Sequence, residues 1–183
     1  MTRDAKAEGR RRSFAFLARF LALLVVFYFL VAWRPVNDAV IVPFTASIAR
    51  VSAAILNAMG EGVTVQGTEI RSARFAVNIE NGCNGVETAL LFGSAVLAFP
   101  VGWKRRLIGL ALGLAAIQVV NLVRVVSLFW IGVHRPAFFS SSHTVLWQSV
   151  VVLCGVLLFL LWASWGTGKR AAAAERHGAR RER

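Results

Sequence analysis

Four apolar stretches divide the chain, at residues 14–33, 86–101, 107–133 and 144–165, bounded by polar or basic residues or by glycine. An α-helix needs about 20 apolar residues to cross a hydrocarbon layer of about 30 Å. Three of the stretches reach that length, and the second is shorter. The segment between the first two has a different pattern. Residues 36–59 carry Ile41, Phe44, Ile48, Val51, Ile55 and Met59 on one helical stripe, broken by Asp38, Pro43 and Arg50. Beyond it, Val63/Val65 and Phe75/Val77/Ile79 alternate around a polar middle, which predicts a short hairpin over 63–70 and 75–80. The predicted fold is an all-α multi-spanning membrane protein with about four transmembrane helices, an outer interfacial helix and a short β-hairpin-like insert.

Composition agrees with the pattern. A 183-residue chain that is 57% hydrophobic, with a mean hydropathy of +0.61, is too apolar for a soluble domain of this size. The first stretch follows Arg10, Arg11 and Arg12 as a secretory signal would, but its length and the lack of an A-x-A-like site mark it as a retained anchor.

Charge then sets the topology. The net charge of +12 is confined largely to span boundaries, a membrane signature that argues against nucleic-acid binding. With four spans, fourteen basic residues fall on one side: Arg3, Lys6 and Arg10–Arg12; Lys104–Arg106; Lys169, Arg170, Arg176, Arg180, Arg181 and Arg183. Five face the other side (Arg34, Arg50, Arg71, Arg74, Arg135), and Arg19 and Arg124 lie within spans. Both termini are therefore expected in the cytoplasm, and segments 34–85 and 134–143 outside. A fifth span at 36–59 would separate the basic N-tail from the other two clusters, so this segment reads as an interfacial helix. The expected organisation is a basic N-tail at 1–13, a membrane domain at 14–166 with its outer segment at 34–85, and a basic disordered tail at 167–183.

Candidate chemistry begins at Cys83, within the run NGCNGVETALLF over residues 81–92. The thiol stands in a tight Asn/Gly turn just before a predicted helix. Asn84 and Glu87 have the spacing of a capping box, with Asn replacing the usual Ser or Thr. The helix dipole there favours a thiolate, and glycines such as Gly85 leave room for another backbone to approach. The other cysteine, Cys154, falls about 16 Å down the last helix from His143, which is unsuited to a disulfide with Cys83. Cys83 as a small packed residue is the bland alternative.

Arg124, in NLVRVVSLFW, is costly to hold within a span and is kept there for pairing or function, or snorkels to headgroups. A span that begins at Leu107 ends near Val126, which puts Arg124 at the depth of Cys83. Asn121, three residues earlier, lies on a neighbouring face and can hydrogen-bond it or fix its direction. His143 opens the last span at the same boundary, with His134 as a competitor nine residues away. A thiol, a proton carrier and a fixed cation are the parts that acyl transfer needs. Three scattered histidines without spaced acidic partners do not suggest a metal site, and no cofactor motif is present.

The motifs NGCNGVE, NLVRV and SSHTVLWQ, in this order over residues 14–165, resemble the exosortase/archaeosortase family of membrane transpeptidases, most like its compact exosortase H subgroup. The resemblance implies a catalytic set of Cys83, Arg124 and His143, supported by Asn84, Gly85, Glu87 and Asn121. It implies a cysteine transpeptidase or protease of the bacterial cytoplasmic membrane, with its active site at the outer face. Its substrates would be exported proteins that end in a short motif, a transmembrane helix and a basic cluster, and an IPTL-type motif fits the subgroup. The acceptor, water or an amine on a glycan or lipid, leaves no trace in the sequence. A non-catalytic membrane scaffold is the competing reading. A thiol–disulfide exchanger lacks a C-x-x-C pair, and a serine protease lacks a G-x-S-x-G setting.

Overall fold

A computed structural model describes residues 3–165; the tail expected at 167–183 lies outside the described residues. The chain runs α1 (Arg3–Ala32), a single turn α2 (Arg34–Val36), a π-helical segment Asn37–Ile41 and α3 (Val42–Ala58). Strands β1 (Thr64–Gln66), β2 (Glu69–Arg71) and β3 (Ala76–Asn78) follow, then α4 (Val86–Ala98) and α5 (Trp103–His134). A 3-10 turn (Pro136–Phe138), the turn α6 (Phe139–Ser141), a second π-helical segment (Ser142–Trp147) and α7 (Gln148–Ser164) complete it. This is an all-α multi-spanning membrane protein with one small sheet.

Among the described residues, four helical stretches are long and apolar enough to cross a membrane: Lys6–Ala32, Arg34–Ala58, Trp103–His134 and Val145–Ser164; Val86–Ala98 is a shorter apolar helix. The number agrees with the sequence pattern, while the membership differs at two elements. Helix α4 stops at Ala98 because Pro100 forces Phe99 into an extended conformation (ψ 135). The segment 36–59 meets the length and apolarity of a span, although it packs on α5, β1 and β2. Pro43 lacks the N–H of a regular turn and crowds the preceding carbonyls, and the π-helical turn just before it accommodates the mismatch.

Residues 63–70 do not form one strand. The chain reverses at Gly67 (φ +61), so that Val65 pairs with Ile70 and Ile70 in turn with Val77. The result is the expected hairpin-like insert with one strand more, a three-stranded antiparallel meander. Its buried face joins α3 to the last third of α5: Ile48, Ala49, Ala53 and Leu56 pack with Val63, Ile70, Ile79, Val125 and Phe129.

Helices α1, α4, α5 and α7 form the second layer, with α4 packed against all three others. Its far end is tied off by Arg105, whose Nη2 donates to the carbonyls of Trp162 (2.7 Å) and Ala163 (3.0 Å) while its guanidinium lies 5.1 Å from the Trp162 ring. Arg106 donates to the Phe99 carbonyl at 2.9 Å. The glycines of Gly109-x-x-x-Gly113 face inward: Gly109 takes the Trp162 indole and Gly113 the Phe92 ring, each where a Cβ would stand. From Arg105 to Arg124, α5 rises about 28 Å, close to the thickness of a hydrocarbon core.

Candidate active site

The turn that joins β3 to α4 lies at the junction of the two layers. Asn84, fully buried, fixes it through three bonds. Its Nδ2 donates to Thr45 Oγ1 on α3 (3.0 Å) and to Asn81 Oδ1 (3.2 Å), and its Oδ1 accepts from the Val86 N–H (3.1 Å). The last of these is an Asx-type turn that satisfies one free N–H of the helix start. The expected capping box is only half formed. Gly85 adopts a left-handed conformation (φ +76) and becomes the N-cap, so Glu87 is the second helical residue, and its carboxylate lies against Gly82 instead of reaching back to the cap.

This turn presents Cys83 to two other elements. Its Sγ lies 2.9 Å from His143 Nε2 and 3.6 Å from Arg124 Nη2. Arg124 is buried, donating through Nη1 to the Gly82 carbonyl (3.0 Å) and through Nη2 to Gln148 Oε1 (3.3 Å). These bonds aim the guanidinium along the turn, with charge to offer an anion near the sulfur. The three residues singled out in the sequence therefore meet within hydrogen-bonding reach. His134 does not join them: its Nε2 sits 2.8 Å from Glu61 Oε1 and its ring against Trp130.

Electrostatics differ from the sequence expectation at the sulfur. Burial pushes the Cys83 thiol above its ordinary value, as Glu80 and Glu87 also do, and Arg124 opposes them. Burial and then Arg124 hold His143 below its ordinary value. Both shifts run toward the neutral forms, a thiol beside an imidazole, and against the preformed thiolate that the helix dipole suggested. At 2.9 Å the imidazole is placed to take the thiol proton as a nucleophile is called on.

Two supporting residues were not legible in the sequence. Gln148 sits five residues after His143, a spacing that leaves a regular α-helix face, but the π-helical turn Ser142–Trp147 closes on i→i+5 bonds and carries it back toward Arg124. Thr45 belongs to α3, whose contact with the Cys83 turn depends on tertiary packing, and its hydroxyl is one of three on that helix, with Ser47 and Ser52, so nothing singled it out. Asn121 also departs from expectation. It is fully buried, yet neither its amide atoms nor Arg124 Nε has a hydrogen-bond partner among the described residues.

The family model described as transmembrane exosortase (EpsH) matches residues 9–163. No curated protein and no solved structure gives a match.

Proposed function

The chain belongs to the transmembrane exosortase family, membrane-embedded sorting transpeptidases that act on exported proteins, and from that premise we propose that it is a cysteine transpeptidase whose nucleophile is Cys83. The observation that carries this reading is the approach of Cys83 Sγ to His143 Nε2 (2.9 Å) with Arg124 Nη2 at 3.6 Å. The substrate would be an exported protein with a C-terminal motif, a transmembrane helix and a basic cluster, the IPTL type being the first to try.

In this mechanism His143 takes the thiol proton as sulfur attacks the peptide carbonyl, and Arg124 stabilises the oxyanion in a water-poor setting. Collapse of the tetrahedral intermediate breaks the C–N bond, His143 returns the proton to the leaving amine, and a Cys83 thioester remains. An acceptor amine or water then gives its proton to His143 and attacks the thioester, and the thiol is restored. Asn84, Gly85 and Glu87 shape the turn, and Gln148 holds Arg124.

Topology follows the charge pattern. Both termini lie in the cytoplasm of a bacterial cell and the Cys83 end of the bundle faces outward, with 1–13 and 167–183 as basic tails flanking the membrane domain. The packing of α3 against the sheet and the last third of α5 supports its role as an interfacial helix above the site. A crevice of about 160 Å³ between α1 and α4, lined by Tyr28, Ala32, Gly82 and Glu87, opens beside the turn.

The test is processing of a co-expressed exported reporter that carries an IPTL-type signal. Cys83→Ala, Arg124→Ala and His143→Ala should each reduce the shortened product at least 100-fold at unchanged membrane abundance, as loss of such groups does elsewhere. His134→Ala should process normally. Undiminished product with Cys83→Ala would remove the nucleophile and favour a scaffold.

A further inference from the structure

The underside of the Cys83 turn is formed by α5. Gly85 rests on it so closely that an added Cβ would lie 3.1 Å from Asn121 Cγ and from Gln118 Nε2. Both contacts are with carboxamides. Asn121 is fully buried, and its Oδ1 and Nδ2 have no hydrogen-bond partner among the described residues; Gln118 Oε1 and Arg124 Nε, on adjacent turns of the same helix, are buried and unpartnered as well.

An idle amide in such a setting is expensive. Each buried donor or acceptor without a partner forfeits the hydrogen bond it made with water, whereas an apolar residue of similar shape loses nothing of the kind. Leucine would suit a span interior at position 121 far better. Four unpartnered atoms gathered against one turn indicate a place where a polar group from outside the chain completes the hydrogen bonds. A carboxamide with donor and acceptor both free is the complement of a main-chain peptide group, which presents one acceptor and one donor.

We propose that Asn121, with Gln118, forms a subsite for one main-chain peptide group of the substrate next to the scissile bond. This rests on the transpeptidase reading above. The half-buried Gln118 is the cover: its flexible side chain swings out and the peptide group takes its place beneath Gly85, with Asn121 Nδ2 donating to the carbonyl and Oδ1 accepting the N–H. The subsite reads no side chain, so it would set the register of the cleaved bond and leave motif choice to other surfaces. Gly85 is required here because any Cβ would occupy the space that the amides and the substrate share, and its φ of +76 suits glycine in any case.

Purified Asn121→Leu and Asn121→Ala proteins decide the matter when compared with intact and Cys83→Ala protein for reporter processing, thermal unfolding and alkylation of Cys83 by a small maleimide. The proposal expects Asn121→Leu to unfold at the same or a higher temperature and to alkylate at the intact rate, yet to lose at least tenfold in processing through a raised KM. Asn121→Ala should lose processing to a similar extent. Full processing by Asn121→Leu beside an inactive Cys83→Ala would overturn the subsite alone, as would an unfolding temperature that falls in step with activity. Processing that survives Cys83→Ala would overturn the functional reading on which the subsite depends.

Discussion

At the residue scale, the decisive feature is a thiol and an imidazole that are both pushed toward their neutral forms. Burial raises Cys83, and burial with Arg124 lowers His143. The alkylation rate of Cys83 should therefore rise with pH to a midpoint above that of free cysteine. Arg124→Gln, which removes the cation holding that value down, should move the midpoint higher still. Processing should fail on the acid side only as pH drops through the lowered His143 value, below the range where free imidazole protonates; an acid limb at or above the ordinary value would contradict the assignment. Cys83 and Arg124 were legible in the sequence because a thiol in an Asn/Gly turn and a guanidinium in a span are each improbable without a reason. The protonation of the pair was not, since the dipole of α4 could be read from residue order while the burial that outweighs it needed α3 and α5 in position.

At the element scale, two local irregularities position the chemistry. The left-handed Gly85 starts α4 one residue late, and the π-helical turn at Ser142–Trp147 brings both His143 and Gln148 to Arg124. Neither was visible in hydrophobic periodicity, which reports where helices lie and not how a turn is wound. The apolar stretches themselves were legible, and the third ended within a residue of α5, whereas α5 begins at Trp103, ahead of the stretch that starts at 107. Gly109 and Gly113 serve internal packing, against Trp162 and Phe92. Gly113→Val should consequently lower the unfolding temperature in detergent, at a cost of about 1–3 kcal/mol for overpacking. A Gly113→Val protein as stable as the intact one would show that Phe92 can leave its place without loss.

At the scale of the whole molecule, a bundle of α1, α4, α5 and α7 closed at one end by Arg105 and Arg106 carries a cap of α3 and the sheet at the other, with the candidate site between them. Hydropathy foretold a multi-pass protein, but α3 illustrates its limit: the same residues suffice in length and apolarity for a span, and it is the charge pattern, with their packing on β1, β2 and α5, that argues otherwise. Cysteines introduced at exposed Arg50 and at Arg71, in a Cys83→Ala background, should both react with an impermeant maleimide added outside intact cells, and one at Lys104 should not; protection of Arg71→Cys with labelling of Lys104→Cys would invert the topology. Catalysis through Cys83 requires an acyl-enzyme. Enzyme quenched in acid during processing of the reporter should, by mass analysis, carry the shortened reporter joined to a Cys83 peptide and released by hydroxylamine. Rapid turnover with no such adduct, at a quench fast enough to catch one, or an adduct on any other residue, would contradict it.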